Sequence, residues 1–185
     1  MIYVFLATGF EDIEALAPLD ILRRAGLQAK TVSITGEEIV VSAHGVGVVA
    51  DTLIEAIDFN DADMIVLPGG MPGASNLDAC EPLRLGIMQL FRAGKPLAAI
   101  CAAPMVLGHL GILYGHRATC YPGFESELKG ADYTAAIVEQ DGQFITGRGP
   151  AAAMEFGYTL AERFAGKEAV QPLRDGMIYS QLMGE

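Results

Sequence analysis

The chain has 185 residues, 51% of them apolar and 19% charged, enough for one sizeable core and a composition that excludes a disordered chain. Twelve basic residues against 23 acidic ones leave a net charge of −11, which repels nucleic acid and anionic membrane surfaces. No apolar run approaches the roughly 20 residues of a membrane span, and the N-terminus lacks the basic flank and cleavage site of an export signal, so the expectation is a single domain over residues 1–185 in the cytoplasm.

Taken in order, IYVFLA (Ile2–Ala7) reads as a buried strand. FEDIEALAPLDILRRAG follows, with Ile13, Leu16, Ala17, Ile21 and Leu22 at helical spacing, acids in the first turn and Arg23 and Arg24 in the last. Gly26 closes this helix, and Pro18 is expected to kink or interrupt it. AKTVSI is the next strand, and EEIVVSAHGVGVVAD suggests a hairpin. MIVLPGG (Met64–Gly70) is a buried strand running into a glycine turn. A helix over Pro82–Gly94, a strand over Pro96–Ile100 and a helical pattern starting directly after Cys101 come next. RATCY reads as a short strand, and the Asp141-Gly142 pair marks a second hairpin. An amphipathic helix spans Gly149–Gly166, and the tail from Lys167 has no decided pattern.

Such alternation implies a doubly wound α/β sandwich, flavodoxin-like in layout, with a mostly parallel sheet covered by helices on both faces. Ligands in such sheets gather at the carboxyl ends of the strands. That rule singles out Gly9 to Glu14, Gly69-Gly70, Cys101 and Gly147–Pro150.

Cys101 stands between strand and helix. A thiol on that bend projects from the sheet, faces the amides of the following turn and gains from the helix N-terminus, so it is expected to ionise near neutral pH. Small neighbours such as Ala102 leave a substrate room. The competing reading is a buried, inert thiol. Cys80 and Cys120 take that reading, Cys120 as a residue inside a strand. Three cysteines without an export signal argue against structural disulfides. Glu14 lies in the first turn of helix one, over the same edge. A carboxyl beside a thiolate has its pKa raised and, protonated, donates a hydrogen bond to sulfur. Glu11 and Asp12 read as surface acids that complement the helix dipole. Gly69 and Gly70 offer amides for an oxyanion. His44, His109 and His116 have no spacing that assures contact with the thiol. There is no HExxH, CxxC, Walker or GxGxxG pattern, so neither metal nor cofactor is expected.

The ordered set ATGFEDIE, VLPGG, AAICAAP and TGRGP resembles the ThiJ/PfpI superfamily, and within it the branch of the Parkinsonism-associated protein deglycase and its bacterial relatives. The resemblance runs from about residue 1 to about residue 170. It implies a flavodoxin-like homodimer with Cys101 as the reactive residue on a strained elbow. It also implies a protonated Glu14 bonded to the sulfur, and Gly69 and Gly70 lining the pocket. The activities it implies are glyoxalase or deglycase chemistry on reactive carbonyls such as methylglyoxal, free or on glycated protein. Oxidation sensing through Cys101, or a chaperone role, is the alternative. Two positions depart from the pattern. Tyr121 precedes Pro122 where the branch has a histidine, and Ala102 follows the cysteine where the peptidase-like branch has one. Peptidase action is therefore not expected. Nor is glutamine amidotransfer, because neither His109-Leu110-Gly111 nor His116-Arg117-Ala118 is the required His-x-Glu.

Overall fold

The structure, a computed structural model, describes residues 1–184. In chain order the elements are β1 (Ile2–Leu6), α1 (Asp12–Arg24), β2 (Ala29–Ser33), β3 (Ile39–Val41), β4 (Gly47–Val49), β5 (Thr52–Leu53), β6 (Met64–Leu67), α2 (Gly73–Ala79) and α3 (Glu81–Arg92). Then come β7 (Leu97–Ile100), α4 (Pro104–His109), β8 (Arg117–Ala118), β9 (Asp132–Tyr133), β10 (Val138–Asp141), β11 (Phe144–Gly147), α5 (Ala153–Ala165), α6 (Lys167–Gly176) and α7 (Tyr179–Met183).

Seven strands form one sheet in the order β10-β11-β7-β6-β1-β2-β5. All neighbours in it are parallel except the β10–β11 hairpin, so the sheet is the mostly parallel one expected. Every residue of β1, β6, β7 and β11 is buried, which is why these strands read as unbroken apolar runs rather than alternating ones. The chain runs outward from β1 to β2, then returns to place β6 on the other side of β1. The strand order therefore reverses between β1 and β6, and the crevice at their carboxyl ends is where such folds hold ligands. Among the described residues no helix is long and apolar enough to cross a membrane.

Several local expectations change. Pro18 does not interrupt α1, which is continuous from Asp12 to Arg24. Pro18 has no N–H to give the Glu14 carbonyl, but its flank packs on α5, where Gly157 lets the two helices close up. A methyl group at Gly157 would lie 2.9 Å from the Pro18 Cα. The RATCY strand shrinks to Arg117–Ala118, so Cys120 is buried outside any strand. The helix after Cys101 starts at Pro104, not directly after the thiol. The first turn over Pro150–Ala152 is 3-10, and the undecided tail forms α6 and α7. Arg174 pins α6 to α5 through Glu155 at 2.7 Å and Glu162 at 3.1 Å, a geometry no periodicity reveals.

His109 ties three segments together. Its Nδ1 lies 2.8 Å from Asp78 Oδ2 at the end of α2, and its Nε2 lies 2.8 Å from Glu127 Oε2 in the turn after Tyr121. Both ring nitrogens face carboxylates, so both must donate, which requires the imidazolium. These two partners hold the His109 pKa above its ordinary value against burial and Lys129. A folded-state pKa raised in this way stabilises fully below the unfolded value and is lost as pH climbs through the folded one. The wild-type urea midpoint is expected to decline as pH rises above about 6.5, and His109→Gln to flatten that decline. Parallel midpoint curves for the two proteins would refute the clamp.

Candidate active site

Three strand ends build the site. After β1 the chain turns through Gly9, and Glu11 becomes the N-cap of α1, its Oε2 accepting from the Glu14 N–H at 2.8 Å. Glu11 is therefore a buried cap and not a surface acid; its own N–H donates to the Gly69 carbonyl at 3.0 Å. That bond docks the start of α1 onto the end of β6. One turn later the Glu14 side chain has no solvent exposure, and its Oε2 accepts from the Gly69 N–H at 2.9 Å.

At the end of β7, Cys101 adopts φ 64°, left-handed backbone that a side-chain-bearing residue rarely takes and that costs roughly 1–3 kcal/mol. The elbow is held on three sides. The Cys101 N–H donates to the Gly147 carbonyl at 2.9 Å, its carbonyl accepts from the Tyr121 N–H at 2.8 Å, and Ala103 N–H closes the turn onto Ile100 at 3.0 Å. The sulfur-bearing residue is 8% exposed, reachable but largely dry. The amides of Gly70 and Ala102 point at the sulfur. Gly69 fits between the two side chains because it has none. A methyl group there would lie 2.6 Å from Glu14 Oε2 and 2.7 Å from the Cys101 Cβ.

The electrostatics follow from this crowding. Burial raises the Glu14 pKa to about 7; the charge of Glu11 adds to it, while interaction with the Cys101 side chain and the Gly69 amide oppose it. The expected direction is found, with burial as its main cause rather than the thiolate. Beside an ionised Glu14, the Cys101 thiol is pushed up to about 12, first by burial, then by the Glu14 charge and hydrogen bond, against the pull of the two amides. An independently acidic thiol, as the elbow alone suggests, is therefore not what the site holds. The two acids share one negative charge, and whichever carries it keeps the other protonated. When the proton sits on Glu14, its charge no longer opposes the thiolate and its O–H is a donor to sulfur. Glu14 Oε1 is buried with no other protein partner, which leaves it free for that proton.

Of the residues marked in the sequence, Cys101, Glu14, Gly69, Gly70 and Ala102 come together. Tyr121 lies at the flank: its backbone holds the elbow, its ring covers Gly149 and is 46% exposed, and its hydroxyl makes no hydrogen bond among the described residues. None of the histidines bonds to Cys101 or Glu14. Asp12, expected on the surface, accepts instead from His44 Nδ1 at 2.6 Å. Glu11, Asp12 and His44 place ligand atoms within 4.8 Å of one another, but Glu11 is engaged by the Glu14 amide and His44 by Asp12. Arg148, beside the elbow on β11's exit, lies inside the marked stretch Gly147–Pro150, but the sequence assigns its side chain no role there.

The fold has counterparts among known proteins. A profile of the DJ-1/PfpI family matches residues 1–163. The chain is 41% identical over 165 residues to protein DJ-1 homolog B of Arabidopsis thaliana, covering 88% of this chain and 38% of that protein. It likewise spans 47% of Arabidopsis homolog A, so it is less than half the length of these two relatives. It is 31% identical over 157 residues to a Pyrococcus abyssi protein named a deglycase, covering 80% of this chain and 90% of that one. The structure of oxidized DJ-1 from Toxoplasma gondii superposes with a TM-score of 0.91 at 35% identity, over 96% of this chain and 97% of that one. With a match over most of its length and the same sheet and helices, this chain belongs to the DJ-1/PfpI family.

Proposed function

We propose that the protein is a cofactor-free, cysteine-dependent enzyme of the glyoxalase or deglycase type, acting on small reactive carbonyls such as methylglyoxal. The observation that carries this reading is a buried carboxyl and a thiol brought together across Gly69 on a strained elbow, with two amides aimed at the sulfur. The Pyrococcus relative's name supports the same class.

In the reactive form Cys101 is thiolate and Glu14 carries the proton. Sulfur adds to the aldehyde carbon, and the carbonyl oxygen takes up the charge beside the Gly70 and Ala102 amides. Glu14 gives that oxygen its proton, leaving a neutral hemithioacetal and a carboxylate. The carboxylate removes the hydrogen from the former aldehyde carbon, giving an enediol, and returns it to the neighbouring carbon as the hydroxyl proton passes to the neighbouring oxygen. The product is a lactoyl thioester, and water cleaves it to lactate and free thiol. The balance is one methylglyoxal plus one water giving one lactate and one proton, with no external oxidant.

A second reading rests on the absence of any histidine bonded to the dyad, and on a relative whose structure is described as oxidized. In it, peroxide carries Cys101 to a sulfinate held by Glu14 and the amides, and no turnover occurs. One comparison separates the two. Wild-type protein is expected to convert methylglyoxal to lactate, and Cys101→Ala to lose this by at least about 10³-fold. No turnover in wild type, together with one fast gain of two oxygens that Cys101→Ser abolishes, would transfer the function to sensing.

A further inference from the structure

The elbow itself is tight, yet a cavity of about 230 Å³ begins one strand beyond it, lined by Tyr121, Pro122, Ile137, Arg148, Gly149 and Pro150 among others. Its position relative to the sulfur is fixed by the sheet. Gly147 and Ile100 are register partners, so Arg148 and Cys101 leave adjacent parallel strands at the same level. Neighbouring strands run about 4.8 Å apart. The Cys101 N–H reaches across to the Gly147 carbonyl at 2.9 Å, and Tyr121 joins both parts, its N–H on the Cys101 carbonyl and its ring over Gly149. The bare Gly149 leaves that ring its place: a methyl group there would lie 3.1 Å from it.

The lining is mostly apolar and holds one charged side chain, Arg148. In a chain with 23 acidic residues, Arg148 makes no ion pair among the described residues. One arm is spent, Nη1 donating to the Ala135 carbonyl at 2.9 Å, which orients the guanidinium and leaves its other donors over. The one arginine buried among the described residues, Arg174, is paired with two carboxylates, whereas the half-buried Arg148 has none. A guanidinium with donors to spare, at the wall of an apolar cavity, is complementary to a planar carboxylate on an apolar body.

We propose that this cavity receives the non-reacting end of the substrate, and that the preferred carbonyl compounds carry a ring-sized apolar group ending in a carboxylate that Arg148 binds. This rests on the reading that Cys101 adds to a carbonyl, and it makes Arg148 a specificity-determining residue. Small dicarbonyls fill only the elbow. Larger ones reach the cavity past Tyr121.

The subsite can be probed without turnover. N-(4-carboxyphenyl)iodoacetamide and N-phenyliodoacetamide both alkylate a thiolate, forming a C–S bond and releasing iodide, and differ only in the carboxylate. In the wild-type protein the carboxylated reagent is expected to label Cys101 roughly fivefold faster, as followed by intact mass, the factor a partly exposed charge pair supplies. That preference runs against the net charge of −11. The ratio should fall to one or below in Arg148→Met and return in part in Arg148→Lys. Ile137 is an exposed residue of the rim, so Ile137→Asp tests the same point without disturbing the core and should also bring the ratio below one. A wild-type ratio of one or less, or a ratio indifferent to both Arg148→Met and Ile137→Asp, overturns the subsite. If the ratio behaves as expected while methylglyoxal is not turned over, the enzyme reading falls and the subsite stands. Turnover with an indifferent ratio removes the subsite and leaves the enzyme reading in place.

Discussion

Gly69→Ala is expected to cut carbonyl turnover by about 100-fold while lowering stability by roughly 1–3 kcal/mol. The added methyl group would sit 2.6 Å from Glu14 Oε2, 2.7 Å from the Cys101 Cβ and 2.9 Å from the Ile100 carbonyl oxygen. None of the three can retreat cheaply. Ile100 is fixed in β7, Cys101 is held by bonds to Gly147 and Tyr121, and Glu14 is buried on a capped helix. The methyl therefore forces sulfur and carboxyl apart, and a displacement of about 1 Å at a reacting pair costs on the order of 100-fold in rate. Gly26→Ala is the control. That residue also has a positive φ, 75°, but nothing lies within 4 Å of the added methyl, so only backbone strain of about 1 kcal/mol is expected, with turnover unchanged. Urea midpoints and kcat/KM for methylglyoxal read both variants. Turnover within a factor of two of wild type in Gly69→Ala would mean that the thiol–carboxyl contact is not what drives the chemistry.

Glu14→Gln should make the protein more stable and less active, with a pH signature. The Glu14 carboxyl ionises near 4.5 in the unfolded chain and near 7 in the fold. Between these values the folded state holds a proton that the unfolded state has lost, so stability falls as pH rises through that window and stays low above it. The amide variant carries no such cost. Its advantage is expected to be absent at pH 4 and to reach up to about 3 kcal/mol at pH 8, in guanidinium midpoints. Removing the proton carrier should cut turnover by about 10²- to 10⁴-fold. Alkylation of Cys101 supplies the third readout. Wild type should show a step near pH 7, where the pair loses its first proton, and a second rise toward 12. In Glu14→Gln the first step should vanish and the thiol titrate once, below that upper value, since the neighbouring charge is gone. A step near pH 7 that survives the substitution would contradict a shared charge.

Strand order and site were legible to different depths for physical reasons. The buried parallel strands announce themselves, because IYVFLA, MIVL and LAAI must be apolar on both faces. Their carboxyl ends then designate Glu14, Gly69, Gly70 and Cys101 by topology alone. What sequence does not carry is depth. Glu11 and Asp12 look alike in the first turn of α1, yet one caps the helix beneath the site and the other pairs with His44. The titration of Cys101 also escapes local reading, since it depends on a carboxyl 87 positions away and on how dry the elbow is. RATCY is a strand only over Arg117–Ala118, which pairs with β9, and Cys120 is buried beyond the end of that pairing. The α6–α5 clamp at Arg174 depends on partners two helices bring together.

The dyad's single charge has a consequence for the rate's response to the medium. Every step of the proposed cycle up to the thioester moves that charge among sulfur, oxygen and carboxylate inside one pocket and adds no second charge; the lactate anion and its proton arise only in the hydrolysis. Formation of the thioester from an uncharged dicarbonyl should therefore be nearly indifferent to added salt, because screening acts weakly on charge that neither enters nor leaves the enclosure.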